Sequence, residues 1–191
     1  DAAAERAYVE ALFPLAAIVT PNLHEAGVLL GREVRDVPAM RAAARDLAAL
    51  GARAVLVKGG GLAGDAVDVL FDGERTVDLP APRVDTANTH GTGCTLSAAI
   101  CARLALGEPL VEAVRAAKAY LTEGLRRSYA VGRGRGVVHH LLGLEFLGPV
   151  GLVVVVEPGQ LQPLDQQRQG PPLDQQGADR DRTAEQGGRH A

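Results

Sequence analysis

The sequence has few aromatic residues and no excess of positive charge. Phe, Trp and Tyr make up 3% of its 191 residues and Trp is absent, whereas the hydrophobic fraction is 47%. The core must therefore be built from aliphatic side chains, which suits a parallel sheet covered by helices. The formal net charge of −3 gives no basic field for nucleic acid or for an anionic membrane surface, so we expect neither partner.

Long apolar runs and a leader segment are missing as well. The longest nearly pure apolar run, Val150 to Val156, is far too short to span a bilayer, and no charged-then-apolar leader precedes the first predicted helix. Cys94 and Cys101 lie on one predicted helix, about 10 Å apart along its axis, which is beyond disulfide reach. We therefore predict a cytoplasmic protein with reduced thiols.

Helix and strand patterns alternate over the first 140 residues. Buried strands are predicted over 16–20 and 54–58, and helices over 1–13, 23–30, 38–50, 91–106 and 109–128. Two strands joined by helices imply a right-handed parallel crossover. Segments 67–71 and 76–79 flank Asp72-Gly73, a strong hairpin signal. The predicted fold is α/β, with a mostly parallel sheet covered by helices and an antiparallel edge hairpin.

Apolar spacing also predicts which face of the first and third helices is buried. The first helix would bury Ala4, Tyr8, Val9, Leu12 and Phe13, and the third would bury Met40, Ala43, Ala44, Leu47 and Leu50.

The character of the sequence changes near residue 141. Residues 157–191 are rich in Gln, Gly, Pro, Asp and Arg, and Pro-Leu-Asp-Gln-Gln occurs at both 163–167 and 172–176. Because this region has almost no apolar periodicity, we predict one domain over 1–140 and a disordered tail over 141–191. The repeat is too short and polar for a solenoid. A linker or a non-native reading-frame extension explains the tail better than a binding module.

The segment 88–95, Asn-Thr-His-Gly-Thr-Gly-Cys-Thr, opens one of the predicted helices. At Gly91, Thr92 and Gly93 the backbone can approach a ligand closely, and free amide N–H groups converge. A helix N-terminus carries about +0.5 of an elementary charge and stabilises anions such as a transferring phosphoryl group. The alternative is an ordinary glycine-rich loop that enters a helix.

Cys94 lies in the first turn of that helix, where the dipole favours the thiolate. Its sulfur could take a proton from a substrate hydroxyl. A nucleophile pair with His90 is conceivable, but no orienting partner can be recognised, and zinc bound by these two residues would lack a third and fourth ligand. Cys101 lies in an apolar run and is expected to be a buried helix residue.

Three further polar residues follow predicted strands. Asn22 and Glu25 place an amide oxygen and a carboxylate three residues apart on one helical face, which suits Mg²⁺; an N-cap Asn with a capping-box Glu has the same spacing. Lys58 ends a buried strand before Gly59-Gly60-Gly61, at the sheet edge where open α/β folds place ligands. It could pair with nucleotide phosphates, although a lone strand-end Lys is usually just solvated.

In this order the motifs resemble the C-terminal half of the ribokinase-like superfamily. The pattern is Thr-Pro-Asn-x-x-Glu, then Val-Leu-Val-Lys-Gly-Gly, a hairpin, and the segment 88–97. Within it, residues 1–140 resemble hydroxymethylpyrimidine/phosphomethylpyrimidine kinase. The family's N-terminal half, which supplies most of the pyrimidine pocket, has no counterpart in this chain.

The resemblance implies phosphorylation of the pyrimidine hydroxymethyl group, and then of the monophosphate, with ATP and Mg²⁺ in thiamine biosynthesis. It implies that Gly91, Thr92 and Gly93 form the anion hole and that Cys94 takes the place of an Asp base. By the same likeness Asn22 and Glu25 organise Mg²⁺ and Lys58 lies near the ATP phosphates, with Thr86 and Lys118 as weaker nucleotide-side candidates.

The residues also allow other acceptors and other functions. Gly-Thr-Gly-Cys alone does not fix the acceptor, so a hydroxyethylthiazole or pyridoxal kinase is an alternative, although Asn88-Thr89-His90 argues for the pyrimidine. The chain could also be a non-catalytic nucleotide-binding remnant, since it begins with Asp1 and ends in a Gln-rich tail. A homodimer is compatible with the sequence.

Overall fold

The computed structural model describes residues 2–130, 132–134, 136–140 and 142. The predicted tail over 141–191 lies outside the described residues, apart from Leu142, and the domain boundary at 140 stays a prediction. The described elements are α1 (Ala2–Ala7), a π-helical segment (Tyr8–Leu12), a 3-10 turn (Phe13–Leu15), α2 (Leu23–Leu30), α3 (Val37–Ala49), β1 (Val55–Val57), β2 (Asp68–Phe71), β3 (Thr76–Leu79), α4 (Thr92–Ala105) and α5 (Leu110–Arg126).

The three strands form an antiparallel sheet in the order β1-β2-β3. Val57 pairs with Val69 across β1 and β2, and Phe71 pairs with Thr76 across the hairpin. Asp72 stabilises the turn by accepting the amide hydrogens of Glu74 and Arg75 at 3.0 and 2.8 Å. The hairpin predicted at Asp72-Gly73 is thereby confirmed.

Within the predicted strand over 16–20, Val19 forms one isolated bridge, with Val55, and a second bridge joins Asn22 to Lys58 just beyond β1. The Val19 amide donates to Ala54 O at 3.0 Å, and the Lys58 amide donates to Pro21 O at 2.8 Å. Both bridges to β1 are parallel, as the crossover prediction requires. Within the described residues the named strands are therefore all antiparallel, and the parallel part of the sheet is smaller than predicted.

Helices cover both faces of the sheet. Val55, Val57 and Val69 pack against α3, whereas Leu56 and Leu70 pack against α4 and α5. This alternation follows from the two-residue period of a strand. The resulting helix–sheet–helix layers match the predicted α/β class, and no described helix is long and apolar enough to cross a membrane.

The predicted helices are present, and their buried faces are mostly right. Met40, Ala43, Ala44 and Leu47 are fully buried on α3, but Leu50 is 41% exposed because it caps the helix instead of continuing its inner face. Glycines with positive φ follow α2 at Gly31 and α4 at Gly107, where a left-handed residue ends a helix.

The first helix differs from its prediction. It changes from α to π geometry at Tyr8 and ends in a 3-10 turn. Of the predicted inner face, Phe13 is buried, Val9 is partly buried, and Tyr8 and Leu12 are 58% and 39% exposed. The change in helical pitch rotates successive side chains away from a common face.

Candidate active site

Lys58 projects from the end of β1 toward the start of α4. Its side chain is only 17% exposed, and its Nζ lies 3.8 Å from Glu25 Oε2. The same ammonium donates a hydrogen bond to the carbonyl oxygen of Thr20. Segment 16–20, helix α2 and the end of strand β1 therefore meet around one half-buried cation.

The first turn of α4 lies directly beside this cation. A Cβ placed on Gly93 would lie 3.8 Å from both Cε and Nζ of Lys58. Gly91 caps the helix with φ of 83°, a left-handed conformation that favours glycine. The predicted proximity of Lys58 and the Gly-Thr-Gly segment is thus present in the structure.

Side-chain hydrogen bonds anchor this turn. Thr95 Oγ1 donates to Gly91 O at 2.8 Å, and Ser97 Oγ donates to Gly93 O at 3.0 Å. The Ser97 hydroxyl also lies 2.9 Å from Thr20 Oγ1, which joins α4 to the strand segment whose carbonyl binds Lys58. The position of the helix start relative to the ammonium is fixed from both sides.

The two cysteines of α4 have different environments. Cys94 is exposed in the first turn, whereas Cys101 is buried, and burial raises the pKa of the Cys101 thiol. His90 pairs through its backbone with Gly136 and Val137. No hydrogen bond joins His90 to Cys94 in the described part of the chain, so the Cys–His pair gains no support.

Asn22 and Glu25 form a complete capping box at the start of α2. The Asn22 amide donates to Glu25 Oε2 at 2.7 Å, and the Glu25 amide donates to Asn22 Oδ1 at 2.9 Å. The capping alternative is therefore present in the structure. Because the Glu25 carboxylate also lies near Lys58, the cap holds a negative charge at the same site.

Partial burial affects the acidity of the Lys58 ammonium. Desolvation lowers the pKa of Lys58, and the nearby charges of Glu25, Asp68 and Cys94 partly oppose that effect. Desolvation is the largest of these effects, so the net shift of the Lys58 pKa is downward. An added anion at the start of α4 would restore the balance.

Lys118 is not brought to this cluster. Its ammonium is buried on α5 and donates to Asp68 Oδ2 at 2.6 Å and to Ala66 O at 2.8 Å. A lysine whose hydrogen bonds are directed to an internal carboxylate and carbonyl has no reason to face a nucleotide. In the structure the Lys118 ammonium is directed to these internal groups, and its assignment as a nucleotide-side residue stays a prediction.

Thr86 belongs to a separate polar cluster. Its Oγ1 accepts the Asn88 amide hydrogen at 3.1 Å and lies 3.2 Å from Ser128 Oγ. The Asn88 side chain donates to the same serine at 3.2 Å. These bonds tie the loop before α4 to the end of α5, so Thr86 shapes the approach to the helix start.

Asp68 is a residue that the sequence-based prediction missed. Its Oδ1 accepts the Gly59 amide hydrogen at 2.8 Å, immediately after Lys58. Strand alternation would have placed Asp68 on the same face as buried Leu70. A charged residue at an inward strand position signals a buried partner, and that signal was present.

No cluster of three or more His, Cys, Asp or Glu side chains that could hold a metal ion occurs in the described ranges. The side-chain oxygens of Asn22 and Glu25, the candidate metal ligands, already bond to each other's backbone. Mg²⁺ commonly takes one or two protein oxygens and completes its octahedron with phosphate and water. The donor set fits a metal held mainly by a nucleotide.

The family of the chain follows from its match to known proteins. A family model described as phosphomethylpyrimidine kinase matches residues 1–139. The chain belongs to the phosphomethylpyrimidine kinase family. It is 54% identical over 138 residues to the hydroxymethylpyrimidine/phosphomethylpyrimidine kinase of Rhizobium meliloti, covering 70% of this chain and 52% of that protein.

Two further likenesses support this kinase family. The chain is 53% identical over 137 residues to a thiamine biosynthesis bifunctional protein of Geobacter sulfurreducens, covering 71% of this chain and 28% of that protein. It also resembles the pyridoxal kinase of Bacillus subtilis, solved as an ADP complex, with a TM-score of 0.68 and 43% identity over 71% of this chain and 54% of that chain. The predicted ribokinase-like fold is confirmed, and the chain spans about half the length of the kinase relatives it matches.

Proposed function

We propose that the protein transfers the γ-phosphoryl group of ATP to the hydroxymethyl group of hydroxymethylpyrimidine, and then phosphorylates the resulting monophosphate. One observation carries the proposal: the half-buried Lys58 ammonium lies beside Gly93 in the first turn of α4, the turn that also presents the exposed thiol of Cys94. Family membership and the names of the relatives support the reaction class and the acceptor.

The paired positive features call for an anion between them. The N-terminus of α4 carries partial positive charge, and a neighbouring ammonium is unfavourable unless negative charge lies close to both. Glu25 supplies part of that charge at 3.8 Å from Lys58. The phosphates of a nucleotide supply the rest, so Lys58 and Gly91–Gly93 hold the group that is transferred.

Cys94 acts on the acceptor in this proposal. Its exposed thiol stands in the turn that holds the phosphoryl group, so its thiolate takes the proton of the acceptor hydroxyl as that oxygen attacks phosphorus. The new oxygen–phosphorus bond replaces the bond to the leaving ADP oxygen. Lys58 and the α4 amides stabilise the charge on the phosphoryl oxygens during this exchange.

Asn22 and Glu25 orient the metal-bound nucleotide. Their capping box keeps an amide oxygen and a carboxylate fixed at the start of α2, and these two oxygens would hold Mg²⁺ together with the phosphates of the nucleotide. When bound, Mg²⁺ neutralises negative charge on the phosphates.

We also propose that the reaction takes place in the cytoplasm. Both cysteines are free thiols, as expected where the compartment is reducing, and ATP is available in the cytoplasm. The homodimer stays a prediction.

A comparison of acceptors tests the proposal. The full-length protein containing this chain is incubated with Mg-ATP and with hydroxymethylpyrimidine, hydroxyethylthiazole or pyridoxal, and ADP release and product mass are measured. We expect the highest kcat/KM with hydroxymethylpyrimidine and a second phosphorylation of its monophosphate. A higher kcat/KM with pyridoxal or hydroxyethylthiazole would identify that compound as the acceptor instead. ADP binding without any phosphoryl transfer would identify a non-catalytic protein.

A further inference from the structure

Asp68 and Lys118 form a buried ion pair that the proposed reaction does not use. Their side chains are only 8% and 9% exposed, and Lys118 Nζ lies 2.6 Å from Asp68 Oδ2. Buried charges are costly unless they are paired and hydrogen-bonded. Pairing explains how the two charges tolerate burial, but replacing them with apolar residues would serve stability as well.

The second carboxylate oxygen gives the pair a further effect. Asp68 Oδ1 accepts the Gly59 amide hydrogen at 2.8 Å, and Gly59 directly follows Lys58. A Cβ on Gly59 would collide with the carbonyl oxygen of Val67, so the two chain segments approach each other closely at this point. Asp68 therefore fixes the backbone from which Lys58 projects.

Lys118 completes the arrangement at the other end of the loop. Besides Asp68, its ammonium binds the carbonyl oxygen of Ala66 at 2.8 Å. The ion pair thus holds the first residue of the loop through Asp68 and the last through Lys118. Both ends of loop 59–66 are tied to β2 and α5.

Arg83 holds the middle of the same loop. Its guanidinium donates to the carbonyl oxygens of Gly60, Leu62 and Gly64 at 3.1, 2.5 and 2.6 Å. A loop bound at its ends and its centre has little freedom to shift. Its fixed start limits the positions that the Lys58 ammonium can reach.

We propose that Asp68 is a positioning residue of the kinase site: it fixes the Gly59 amide, and through it the Lys58 ammonium beside α4, while Lys118 neutralises and orients the carboxylate. This inference rests on the proposed function. A misplaced charge near a transferring group can lower the rate by about 100-fold, so the effect is measurable in kinetics as well as in nucleotide affinity.

Two double variants isolate the hydrogen bond to Gly59. D68N/K118M removes both charges and keeps an oxygen that can accept the Gly59 amide hydrogen, whereas D68L/K118M removes both charges and the acceptor. Neither variant leaves an unpaired buried charge. The matched control, R41M/D78L, removes the ion pair that joins α3 to β3 on the opposite face of the sheet.

The full-length variants are compared in ADP affinity by calorimetry and in KM for ATP and kcat. We expect D68L/K118M to lose about tenfold to 100-fold in kcat/KM for ATP and to bind ADP more weakly. D68N/K118M should lose clearly less, because it keeps an acceptor for the Gly59 amide hydrogen, and the control should stay close to the wild type. Equal ADP affinities and kinetics in the two Asp68 variants would overturn the inference.

A further variant covers the case in which D68L/K118M does not fold. D68E keeps both charges but moves the carboxylate by one methylene, so we expect weaker ADP binding and a raised KM for ATP at little change in thermal stability. Unchanged values would contradict positioning. A wild-type protein that binds ADP but transfers no phosphate would contradict the proposed function instead, and the ADP affinities would still test the role of Asp68.

Discussion

Lys58 and Lys118 were both predicted to lie on the nucleotide side, and the structure separates them. Lys118 Nζ lies 2.6 Å from the carboxylate oxygen Oδ2 of Asp68, whereas Lys58 Nζ lies 3.8 Å from the carboxylate oxygen Oε2 of Glu25. The charge of Lys118 is therefore compensated within the fold. In the proposed function, Lys58 attracts an external anion. This difference separates a structural lysine, Lys118, from a candidate ligand-binding lysine, Lys58.

The largest expected effect comes from the thiol beside Lys58. Cys94→Ala should lower kcat by about 10²- to 10⁴-fold, the usual contribution of a general base, with ADP affinity nearly unchanged. Cys101→Ala is the matched control on the same helix, because that thiol is buried away from the helix start. Steady-state kinetics and calorimetry on the full-length protein measure both quantities. Equal losses of rate and affinity in Cys94→Ala would refute the role of the base.

Lys118→Met should produce the largest loss of stability. It leaves the Asp68 carboxylate buried without its partner, and breaking a buried pair in this way costs about 3–5 kcal/mol in the free energy of unfolding. Urea denaturation measures the loss. A variant as stable as the wild type would show that Lys118 does not compensate Asp68, and the contrast between the two lysines would fail.

Lys58→Met should have the opposite profile. Loss of the ammonium removes stabilisation of the phosphoryl charge, so we expect kcat/KM to fall by about 10²- to 10³-fold. Stability should be retained or improved, because desolvation of the charge opposes folding and lowers the pKa of Lys58. A destabilised variant with normal kinetics would assign Lys58 the structural role that we give to Lys118.

The smallest effect should appear in the pH dependence of ADP binding. The protonated form of Lys58 binds phosphate, and its pKa lies below the ordinary value of 10.5 because of desolvation, with Glu25, Asp68 and Cys94 opposing the shift. ADP affinity should therefore begin to fall at a lower pH than an ordinary lysine would give. Without ligand, the free energy of unfolding should rise as pH increases through this lowered pKa toward the unfolded-state value.

Calorimetry between about pH 7 and pH 10 measures this decline. The experiment uses a Cys94→Ser background, which removes the neighbouring thiol. Lys58→Arg is the control, since a guanidinium stays charged over this range. A decline of the same size in the arginine variant would assign the titration to another group.

Much of the fold was predictable because its signals are local. Gly31 and Gly107 mark helix ends, Asp72-Gly73 marks the hairpin, and the inner face of α3 follows the helical period. The predictions of burial were wrong where the helical geometry ends or changes. Leu50, for example, follows the last turn of α3 and is exposed, although the helical period placed it on the inner face. The parallel pairing of 16–20 with β1 was predicted from the helices that join the two segments, but its short extent depends on strand neighbours that no local period encodes.

The site was predictable only in part. Spacing along the chain indicated Asn22, Glu25, Lys58 and Cys94, since each follows a strand or opens a helix. It could not show that Lys118 turns inward, because the partner Asp68 is 50 residues away. Which of two lysines is compensated depends on that long-range pairing, and the pairing also explains why Asp68 was missed.

The most direct test of the central claim is a crystal structure of the full-length protein with the ATP analogue AMP-PCP. We predict that the terminal phosphate lies against the amides of Gly91–Gly93 and accepts a hydrogen bond from Lys58 Nζ, while Lys118 stays paired with Asp68. A terminal phosphate bound elsewhere, with Lys58 still directed at Thr20 O and Glu25, would contradict the account.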